Sequence, residues 1–211
     1  MNCDKNSLLL YAVTDRAWLQ PGETLLGRVR DAIEGGATFV QLREKDKAPD
    51  EILASAREIL PVCHKYGVPF IMNDSIELAR AAGADGVHLG QSDVPGDNVR
   101  ALAGDLILGL SANTVESAQR AQALGADYLG VGAVFGTTTK HDARHLSPEK
   151  LREITGAVQI PVVAIGGIGA GNILELAGCG VQGAAVVSAI FAQTDPEQAA
   201  RDLRAKAEQI R

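Results

Sequence analysis

The sequence predicts an α/β fold: a single-domain (β/α)8 barrel of the TIM type over residues 1–211, with about residues 1–6 as a short N-terminal tail. Eight short apolar segments alternate with eight helix-like segments along the 211 residues. The apolar segments do not alternate with polar residues, which is typical of parallel strands that are covered on both faces. A glycine-led tripeptide recurs every two strand–helix units, which indicates a repeated architecture.

The strands are predicted from short runs of apolar residues that end at glycine, proline or polar residues. The first run ends in the polar sequence Thr14–Asp15–Arg16, and the others are similarly bounded. In chain order the predicted strands are Leu8–Val13, Phe39–Leu42, Pro69–Met72, Val87–Leu89, Leu106–Leu110, Tyr128–Val134, Val162–Ile165 and Ala184–Val187.

Each predicted strand is followed by a segment with helical spacing of its apolar residues. The helix after strand 2 is long and amphipathic, and the one after strand 4 is weak. In chain order the predicted helices are Thr24–Glu34, Pro49–Tyr66, Ser75–Ala82, Asp97–Leu102, Val115–Leu124, Pro148–Ile154, Asn172–Ala177 and Pro196–Ile210.

An internal repeat supports the count of eight units. The four tripeptides are Gly36–Ala37–Thr38, Gly83–Ala84–Asp85, Gly125–Ala126–Asp127 and Gly180–Val181–Gln182, spaced 47, 42 and 55 residues apart. Each precedes an even-numbered strand. Its glycine fits the position just after a helix, where a positive φ costs little without a Cβ. A closed barrel accounts for this repeat, and a doubly wound open sheet is the alternative.

Composition excludes several classes of function. The 20 Lys and Arg residues and 26 Asp and Glu residues give a net charge of −6, which disfavours a general nucleic-acid partner but leaves room for a local cationic pocket. Cys3, Cys63 and Cys179 are odd in number and form no CxxC motif, so we expect reduced structural thiols and a cytoplasmic protein. We expect no signal peptide, and no apolar run approaches 18 residues, so no membrane span is predicted.

Chemistry in such a barrel is expected at the carboxyl ends of its strands. At the end of strand 2, Gln41, Arg43 and Lys45 share one face of an extended segment. Two cations on that face indicate an anionic ligand. The alternative is a solvated loop with a local salt bridge to Glu44 or Asp46.

Two carboxylates follow the neighbouring strands. Asp74 comes after strand 3, next to Asn73, and Asp93 comes after strand 4. They can approach each other if a cation lies between them, and Mg²⁺ is the natural candidate because it takes few carboxylates and completes its shell with water and phosphate. The alternative is a pair of helix N-caps, a role that Asp fills well.

Hydroxyl groups follow strands 5 and 6. Ser111 or Asn113 can donate to a phosphate, unless Asn113 or Thr114 only caps the next helix. After strand 6, the segment Thr137–Lys140 offers three hydroxyls and a lysine as an oxyanion cradle, with a threonine-rich surface loop as the alternative. The polar segment 136–146 is expected to act as a lid.

The loops after strands 7 and 8 are expected to bind phosphate, as they frequently do in these barrels. Gly166–Gly167 and the segment Val187–Ile190 occupy these positions. His88, inside strand 4, is interpreted as a buried, hydrogen-bonded imidazole. No ligand spacing for zinc occurs.

Together these motifs closely resemble the thiamine phosphate synthase family. The matching motifs are QLREK at 41–45, ND at 73–74, GVHLGQSD at 86–93, TTTK at 137–140, AIGGI at 164–168 and VVSAI at 186–190. The resemblance runs from Tyr11 to the last helix. The combination is specific, whereas the last two motifs also occur in other phosphate-binding barrels.

The resemblance implies an Mg²⁺-dependent transferase that joins 4-amino-2-methyl-5-hydroxymethylpyrimidine diphosphate to a 4-methyl-5-(2-phosphoethyl)thiazole, or its carboxylated form. The products are thiamine phosphate and pyrophosphate. Carried over motif by motif, the groups that hold the pyrimidine diphosphate are Gln41, Arg43, Lys45, Asn73, Ser111 and Lys140. Those implied for the thiazole phosphate are Thr137, Thr139, Gly167, Val187 and Ser188. Asp74 and Asp93 are implied as the Mg²⁺ ligands, and Arg43, Lys45, Lys140 and Ser111 as the catalytic groups.

Two positions depart from the family pattern. Ala133 stands where proline is usual, and Asn113 stands where histidine is common. Neither change removes a charged group, so we expect activity to persist. The alternatives are the sister thiazole tautomerase family and a non-catalytic barrel that senses a phosphorylated ligand. The sequence assigns no oligomeric state.

Overall fold

The computed structural model describes residues 3–136 and 146–211. In this part of the chain, eight parallel strands pair in sequence order and close into a barrel, because β1 pairs with both β2 and β8. The strands are β1 Leu10–Val13, β2 Phe39–Leu42, β3 Phe70–Asn73, β4 Gly86–Leu89, β5 Ile107–Ala112, β6 Tyr128–Gly132, β7 Val162–Ile165 and β8 Gly183–Val186. The predicted barrel is confirmed, and the alternative of an open doubly wound sheet is wrong.

Helices cover the outside of the barrel. They are α1 Leu25–Glu34, α2 Pro49–Lys65, α3 Ile76–Ala82, α4 Val99–Ala103, α5 Val115–Ala123, α6 Pro148–Gly156, α7 Ser188–Phe191 and α8 Pro196–Ala207. Side-chain caps fix several of their starts: the Thr24 hydroxyl accepts from the Gly27 N–H, and the Asp195 carboxylate accepts from the Gln198 N–H. Such caps satisfy amide groups that the first turn of a helix leaves unpaired.

The structure differs from the predicted elements in three places. The helix expected after strand 7 is a single 3-10 turn, Ile173–Leu176. The short helix α7 directly follows β8 where an extended strand end was expected. Before β1, Lys5–Leu8 form a 3-10 turn where a tail was expected up to about residue 6, and Cys3 is buried whereas residues 4–6 are exposed.

The barrel interior is filled by side chains that alternate along the strands. Tyr11, Phe39 and Tyr128 meet there edge to face, with ring centroids 4.7 to 6.0 Å apart. Glycines on the neighbouring strands provide the space, because a Cβ on Gly109 would lie 2.2 Å from the Tyr128 ring and one on Gly130 would lie 2.9 Å from the His88 ring. The large aromatic side chains therefore depend on the absence of side chains beside them.

The glycine-led repeat forms the end of the barrel opposite to the predicted site. All four glycines have the positive φ that was predicted, between 68° and 106°. The third residue of three repeats anchors the start of the preceding odd-numbered strand. The Thr38 hydroxyl accepts from the Leu10 N–H at the start of β1. The Asp85 carboxylate accepts from the Phe70 N–H at the start of β3, and the Asp127 carboxylate accepts from the Leu108 N–H near the start of β5.

Asp127 offers a direct test of this anchoring. Its carboxylate is buried and accepts from the Leu108 N–H at 3.0 Å and from Arg100 Nη1 at 2.9 Å. We expect Asp127→Ala to lower the free energy of unfolding by about 2–4 kcal/mol, since it leaves the buried Leu108 amide without its acceptor and removes the ion-pair partner of Arg100.

Urea denaturation measures this loss, with Asp97→Ala as the matched control. Asp97 also pairs with an arginine, but both side chains are exposed, so its loss should cost less than about 1 kcal/mol. Equal losses in the two variants would contradict the anchoring role of Asp127.

All three cysteines are free and buried. Burial raises the pKa of Cys3 and of Cys63 to about 12, so these thiols stay protonated and unreactive at neutral pH. The prediction of reduced structural cysteines is consistent with this arrangement. Among the described residues, no helix combines the length and the apolar character needed to cross a bilayer.

Candidate functional site

The carboxyl ends of all eight strands lie at one rim of the barrel, because the strands are parallel throughout. The predicted site residues in the described part of the chain follow or end these strands, so they share this rim. They are Gln41, Arg43, Lys45, Asn73, Asp74, Asp93, Ser111, Gly167, Val187 and Ser188. Thr137, Thr139 and Lys140, and most of the expected lid 136–146, lie outside the described residues.

The strand β2 has the bounds predicted for it, but the residues after it form a loop instead of continuing as an extended segment. β2 ends at Leu42, so Arg43 and Lys45 lie in the loop beyond it, whereas Gln41 is buried inside the barrel. Thr14, at the end of β1, fixes the start of this loop: its hydroxyl accepts from the Arg43 N–H at 2.9 Å, and its own N–H donates to the Gln41 carbonyl at 3.0 Å. The backbone of Arg43 is therefore held at the rim by the neighbouring strand.

Glu44 does not neutralise the adjacent cations. Its carboxylate accepts from Arg16 Nε at 3.0 and 3.1 Å, and its side chain is only 2% exposed. In the described residues, no carboxylate forms an ion pair with Arg43 or Lys45. The alternative of a local salt bridge within this loop is therefore wrong, and the geometry leaves both cations available to an anionic ligand.

Asp74 has an unusual backbone. Its φ is 66°, in the left-handed region that residues other than glycine seldom adopt. Its N–H donates to the His88 carbonyl at 2.9 Å, which ties it to β4, and Ser75 rather than Asp74 caps α3. The alternative reading of Asp74 as a helix N-cap is wrong. Strained backbone of this kind clusters at functional sites.

Asp93 closes the turn that follows β4. Its Oδ2 accepts from the Gly90 N–H at 3.1 Å, and its own N–H donates to the Gly90 carbonyl at 3.0 Å. The residue at the start of α4 is Asn98, so the N-cap alternative is wrong for Asp93 as well. Among residues 3–136 and 146–211, no three acidic, histidine or cysteine side chains are grouped so as to hold a metal ion.

Ser111 and Asn113 have different surroundings. Ser111 is half-buried at the end of β5, and its hydroxyl lies 3.0 Å from His88 Nε2. Asn113 is exposed and accepts from Gln91 Nε2 at 3.2 Å, while Thr114 caps α5. Of the two candidates for phosphate binding, Ser111 is the one that faces the barrel interior.

A continuous chain of hydrogen bonds crosses the barrel beneath the rim. Gln41 Nε2 donates to Tyr11 Oη, which lies 2.9 Å from Tyr128 Oη. Tyr128 Oη lies 3.0 Å from His88 Nδ1, and His88 Nε2 lies 3.0 Å from Ser111 Oγ. The chain thus joins two predicted substrate residues, Gln41 and Ser111, through three interior side chains. The interpretation of His88 as a hydrogen-bonded imidazole agrees with these contacts, but its side chain is only partly buried and not fully buried as expected.

The two tyrosines of this chain were not identified from the sequence. Burial raises the pKa of Tyr11, and it raises the pKa of Tyr128 well above its ordinary value. Both phenols are therefore neutral and carry one proton each. The available signal was the alternation of glycines in β5 and β6, which leaves space for large inward side chains on adjacent strands.

The loops after β6 and β7 pack tightly against each other. Gly166 and Gly167 have φ of 100° and 67°, and a Cβ on Gly167 would lie 1.9 Å from the Gly136 carbonyl oxygen. The Phe135 N–H donates to the Gly166 carbonyl at 3.0 Å. Gly167 is therefore required both for its φ and for the close contact, and the loop places exposed backbone at the rim.

The end of β8 differs from the prediction. The strand ends at Val186, Val187 forms the junction, and the exposed Ser188 begins α7. The segment Val187–Ile190 therefore belongs to a turn and a short helix rather than to a strand end. Its place directly beside the β7 loop follows from the pairing of β7 with β8.

Comparisons with known proteins agree with these features. A family model described as thiamine monophosphate synthase matches residues 10–190. The chain is 50% identical over 195 residues to a thiamine-phosphate synthase of Ruminiclostridium cellulolyticum, covering 92% of each chain. It is 44% identical to that of Pyrococcus abyssi, covering 98% of each. A solved structure titled thiamine phosphate pyrophosphorylase from Pyrococcus furiosus superposes with a TM-score of 0.90 at 39% identity, covering 98% of each chain.

Proposed function

The chain belongs to the thiamine monophosphate synthase family, and from this membership we propose how its rim carries out the reaction. The enzyme is a transferase that joins 4-amino-2-methyl-5-hydroxymethylpyrimidine diphosphate to 4-methyl-5-(2-phosphoethyl)thiazole, or its carboxylated form. It releases thiamine phosphate and pyrophosphate. The observation that carries the assignment to this rim is that Arg43 and Lys45, without acidic partners in the described chain, stand on the same rim as Asp74 and Asp93.

Neither alternative function has comparable support. The relatives at 44 to 50% identity are named as thiamine-phosphate synthases, and none of those reported above is named as a tautomerase. A sensor of phosphorylated ligands would have no need of two carboxylates next to a cationic loop.

The pyrimidine diphosphate binds between the loops after β2, β3 and β5 in this proposal. Arg43 and Lys45 contact the diphosphate oxygens, because charge-assisted hydrogen bonds to phosphate are the strongest that these side chains form. Ser111 donates its hydroxyl proton to the same group, and the Asn73 amide lies beside it at the end of β3. The residues proposed for this substrate are Gln41, Arg43, Lys45, Asn73, Ser111 and Lys140.

The two carboxylates fit a bound Mg²⁺. Neither Asp74 nor Asp93 is used as a helix cap, and both follow adjacent parallel strands. An ion held by two carboxylates takes its remaining ligands from water and from the substrate phosphates, which is the usual arrangement for Mg²⁺. When bound, Mg²⁺ supplies positive charge that offsets the charge on the departing diphosphate.

The reaction itself requires no general base. The bond between the pyrimidine methylene carbon and the diphosphate oxygen breaks, and its electron pair leaves with the diphosphate. The aminopyrimidine ring stabilises the resulting cation, and the thiazole nitrogen lone pair then forms the new C–N bond without losing a proton. Arg43, Lys45 and Lys140 stabilise the increasing charge on the leaving group, which is where fixed charges accelerate a reaction most.

The thiazole phosphate is placed at the loops after β6, β7 and β8. Gly167 allows the phosphate to approach the backbone, and the exposed Ser188 offers a hydroxyl next to it. The loops after β7 and β8 frequently form the phosphate site of such barrels. The residues proposed for this substrate are Thr137, Thr139, Gly167, Val187 and Ser188.

The direct test is an assay with both substrates and Mg²⁺. We expect stoichiometric release of pyrophosphate and formation of thiamine phosphate, measured by chromatography. Each substrate alone should give no thiamine phosphate. Conversion of a thiazole carboxylate tautomer without the pyrimidine diphosphate would point to a tautomerase, and tight ligand binding without turnover would point to a sensor.

Asp93→Asn isolates the charge of the proposed metal ligand. The amide keeps an oxygen that can accept from the Gly90 N–H, so the turn is preserved. We expect the Mg²⁺ concentration for half-maximal rate to rise by about tenfold or more, because removing one charge-assisted contact costs about 1.5–3 kcal/mol.

Asp97→Asn is the matched control, since it removes an exposed carboxylate of the same loop region. Its Mg²⁺ dependence should equal that of the unmodified enzyme. An unchanged Mg²⁺ dependence in Asp93→Asn would exclude Asp93 as a metal ligand.

The proposed partners are small phosphorylated molecules rather than nucleic acids. The net charge of −6 supports this, because a general nucleic-acid partner requires a strongly basic surface. We also propose a cytoplasmic location, supported by three buried cysteines that remain free.

A further inference from the structure

The interior hydrogen-bond chain has a direction. An amide NH₂ donates hydrogen bonds and cannot accept them, and the amide nitrogen of Gln41 faces Tyr11 Oη. The Tyr11 hydroxyl receives this bond and therefore uses its single proton toward Tyr128. Tyr128 accepts this bond from Tyr11, and it therefore donates its own single proton to His88 Nδ1.

The direction of the chain determines the tautomer of His88. With Nδ1 accepting from Tyr128, a neutral imidazole carries its proton on Nε2, which faces Ser111 Oγ at 3.0 Å. Ser111 then accepts from His88, and its own proton stays available for another partner. We propose that Tyr11, Tyr128 and His88 are positioning residues that keep the Ser111 hydroxyl as a donor toward the anionic oxygen of the bound substrate.

The reverse direction would have the opposite effect on the site. If Gln41 presented its oxygen to Tyr11, donor and acceptor would be exchanged in every hydrogen bond of the chain. His88 would then carry its proton on Nδ1, and Ser111 would donate to His88. Ser111 would then offer only lone pairs to the rim, and an anionic ligand would be repelled. Whether the amide nitrogen or the amide oxygen of Gln41 faces Tyr11 thus determines whether the Ser111 hydroxyl, on the other side of the barrel, can donate to a ligand.

Burial keeps this chain in one protonation state. The raised pKa values of Tyr11 and Tyr128 mean that neither phenol loses its proton near neutral pH. Gly109 and Gly130 hold the geometry, because a side chain on either would displace Tyr128 or His88. The role of Ser111 toward substrate rests on the proposed function, whereas the tautomer of His88 does not.

The first measurement uses the unmodified protein without substrate. Nitrogen-15 NMR of histidine-labelled protein distinguishes a protonated from an unprotonated ring nitrogen, and His88→Gln assigns the signal among the four histidines. We expect His88 to be protonated on Nε2 and unprotonated on Nδ1 when neutral. Protonation on Nδ1 would overturn the proposal, whatever the enzyme's activity.

The second measurement reverses the chain with Gln41→Glu. An ionised carboxylate can only accept, so we expect the His88 proton to move to Nδ1 as the pH is raised through the range of about 6 to 9, where a buried carboxyl ionises. Gln91→Glu is the matched control, because it adds the same charge near the rim but contacts Asn113 and not the chain. The control should leave the tautomer unchanged, and an unchanged tautomer in Gln41→Glu across this range would overturn the proposal.

The third measurement links the chain to ligand binding, with pyrophosphate and Mg²⁺ as the probe in calorimetry. Ser111→Ala should weaken binding by about tenfold in the unmodified background, the value of one hydrogen bond to an anion. In the Gln41→Glu background, the same change should have less than about a twofold effect, since Ser111 no longer donates to the ligand. Equal effects in both backgrounds would contradict the proposal. Failure of pyrophosphate to bind at all, with the expected tautomer, would refute the proposed function instead.

Discussion

We expect Arg43→Met to lower kcat/KM for the pyrimidine diphosphate by about 10²–10³-fold, the range found when one stabilising donor is removed from a site of developing charge. The geometry explains the size of this expected loss. Thr14 fixes the Arg43 backbone at the rim, and Glu44 is already paired with Arg16. The backbone of Arg43 is therefore held at the rim, and no carboxylate of the described residues forms an ion pair with its guanidinium. Methionine keeps much of the bulk of the side chain but not the charge.

The effect of Arg43→Met should fall mainly on kcat. The diphosphate gains negative charge as its bond to carbon breaks, so a fixed cation stabilises the transition state more than the bound substrate. Steady-state kinetics with the diphosphate varied at saturating thiazole phosphate measures both parameters. A rise in KM with an unchanged kcat would mean that Arg43 only binds the substrate.

Lys47→Met is the matched control for Arg43. Lys47 is a cation of the same loop, but it is exposed and paired with Glu51 at 2.8 Å, one helical turn along. Its replacement should change kcat/KM by less than about twofold, because exposed pairs contribute little. A large loss in Lys47→Met would indicate that the loop depends on its total charge rather than on the position of Arg43.

We expect Gly183→Ala to lower the melting temperature by about 6–12 °C, which corresponds to about 3 kcal/mol for a chain of this size. Gly183 begins β8, and a Cβ there would lie 2.1 Å from the Leu8 carbonyl oxygen and 2.3 Å from that of Leu9. Both contacts are with backbone, so relief requires the segment before β1 to move away from β8. That movement opens the barrel at the pair that closes it.

Gly156→Ala provides the control for Gly183→Ala. Gly156 ends α6, and a Cβ there would meet no atom within 4 Å. Alanine should leave the melting temperature unchanged or raise it slightly, since it favours helix and restricts the unfolded chain. Differential scanning calorimetry measures both variants, and equal shifts would show that the contacts of Gly183 are relieved without cost.

The fold could be predicted from the sequence because each of its signals is local. Apolar runs mark strands that are covered on both faces, and the glycines at 36, 83, 125 and 180 mark turns that need a positive φ. The prediction failed where a segment was too short for its apolar pattern to distinguish a helix from a strand or a turn. Ile173–Leu176 forms one 3-10 turn, and Ser188–Phe191 forms one helical turn, and apolar periodicity cannot distinguish so few residues.

The site could be predicted only in part. The order of residues along the chain places Arg43, Asp74 and Asp93 at the ends of successive strands, and parallel strands bring those ends together. The same information could not decide whether a carboxylate caps a helix. Ser75 rather than Asp74 caps α3. The φ of 66° at Asp74, which accompanies this arrangement, cannot be predicted from the residue types.

The interior tyrosines illustrate a different limit. Tyr11 and Tyr128 are 117 residues apart, and their hydroxyls meet because the barrel closes. Nothing near either residue in the sequence indicates a partner. A contact of this kind follows from register across several strands, and register is fixed by the closed sheet as a whole rather than by any one segment.

The side chains that anchor the strand starts, Thr38, Asp85 and Asp127, lie at the end of the barrel opposite the rim. These three anchoring contacts are thus located far from the groups proposed to meet substrate. Apart from tightly packed positions such as Gly167, substitutions in the rim loops should therefore cost less stability than substitutions of these anchors. Laboratory evolution of a new substrate preference should therefore concentrate its diversity in the loops after β2 to β8 and leave these anchors untouched.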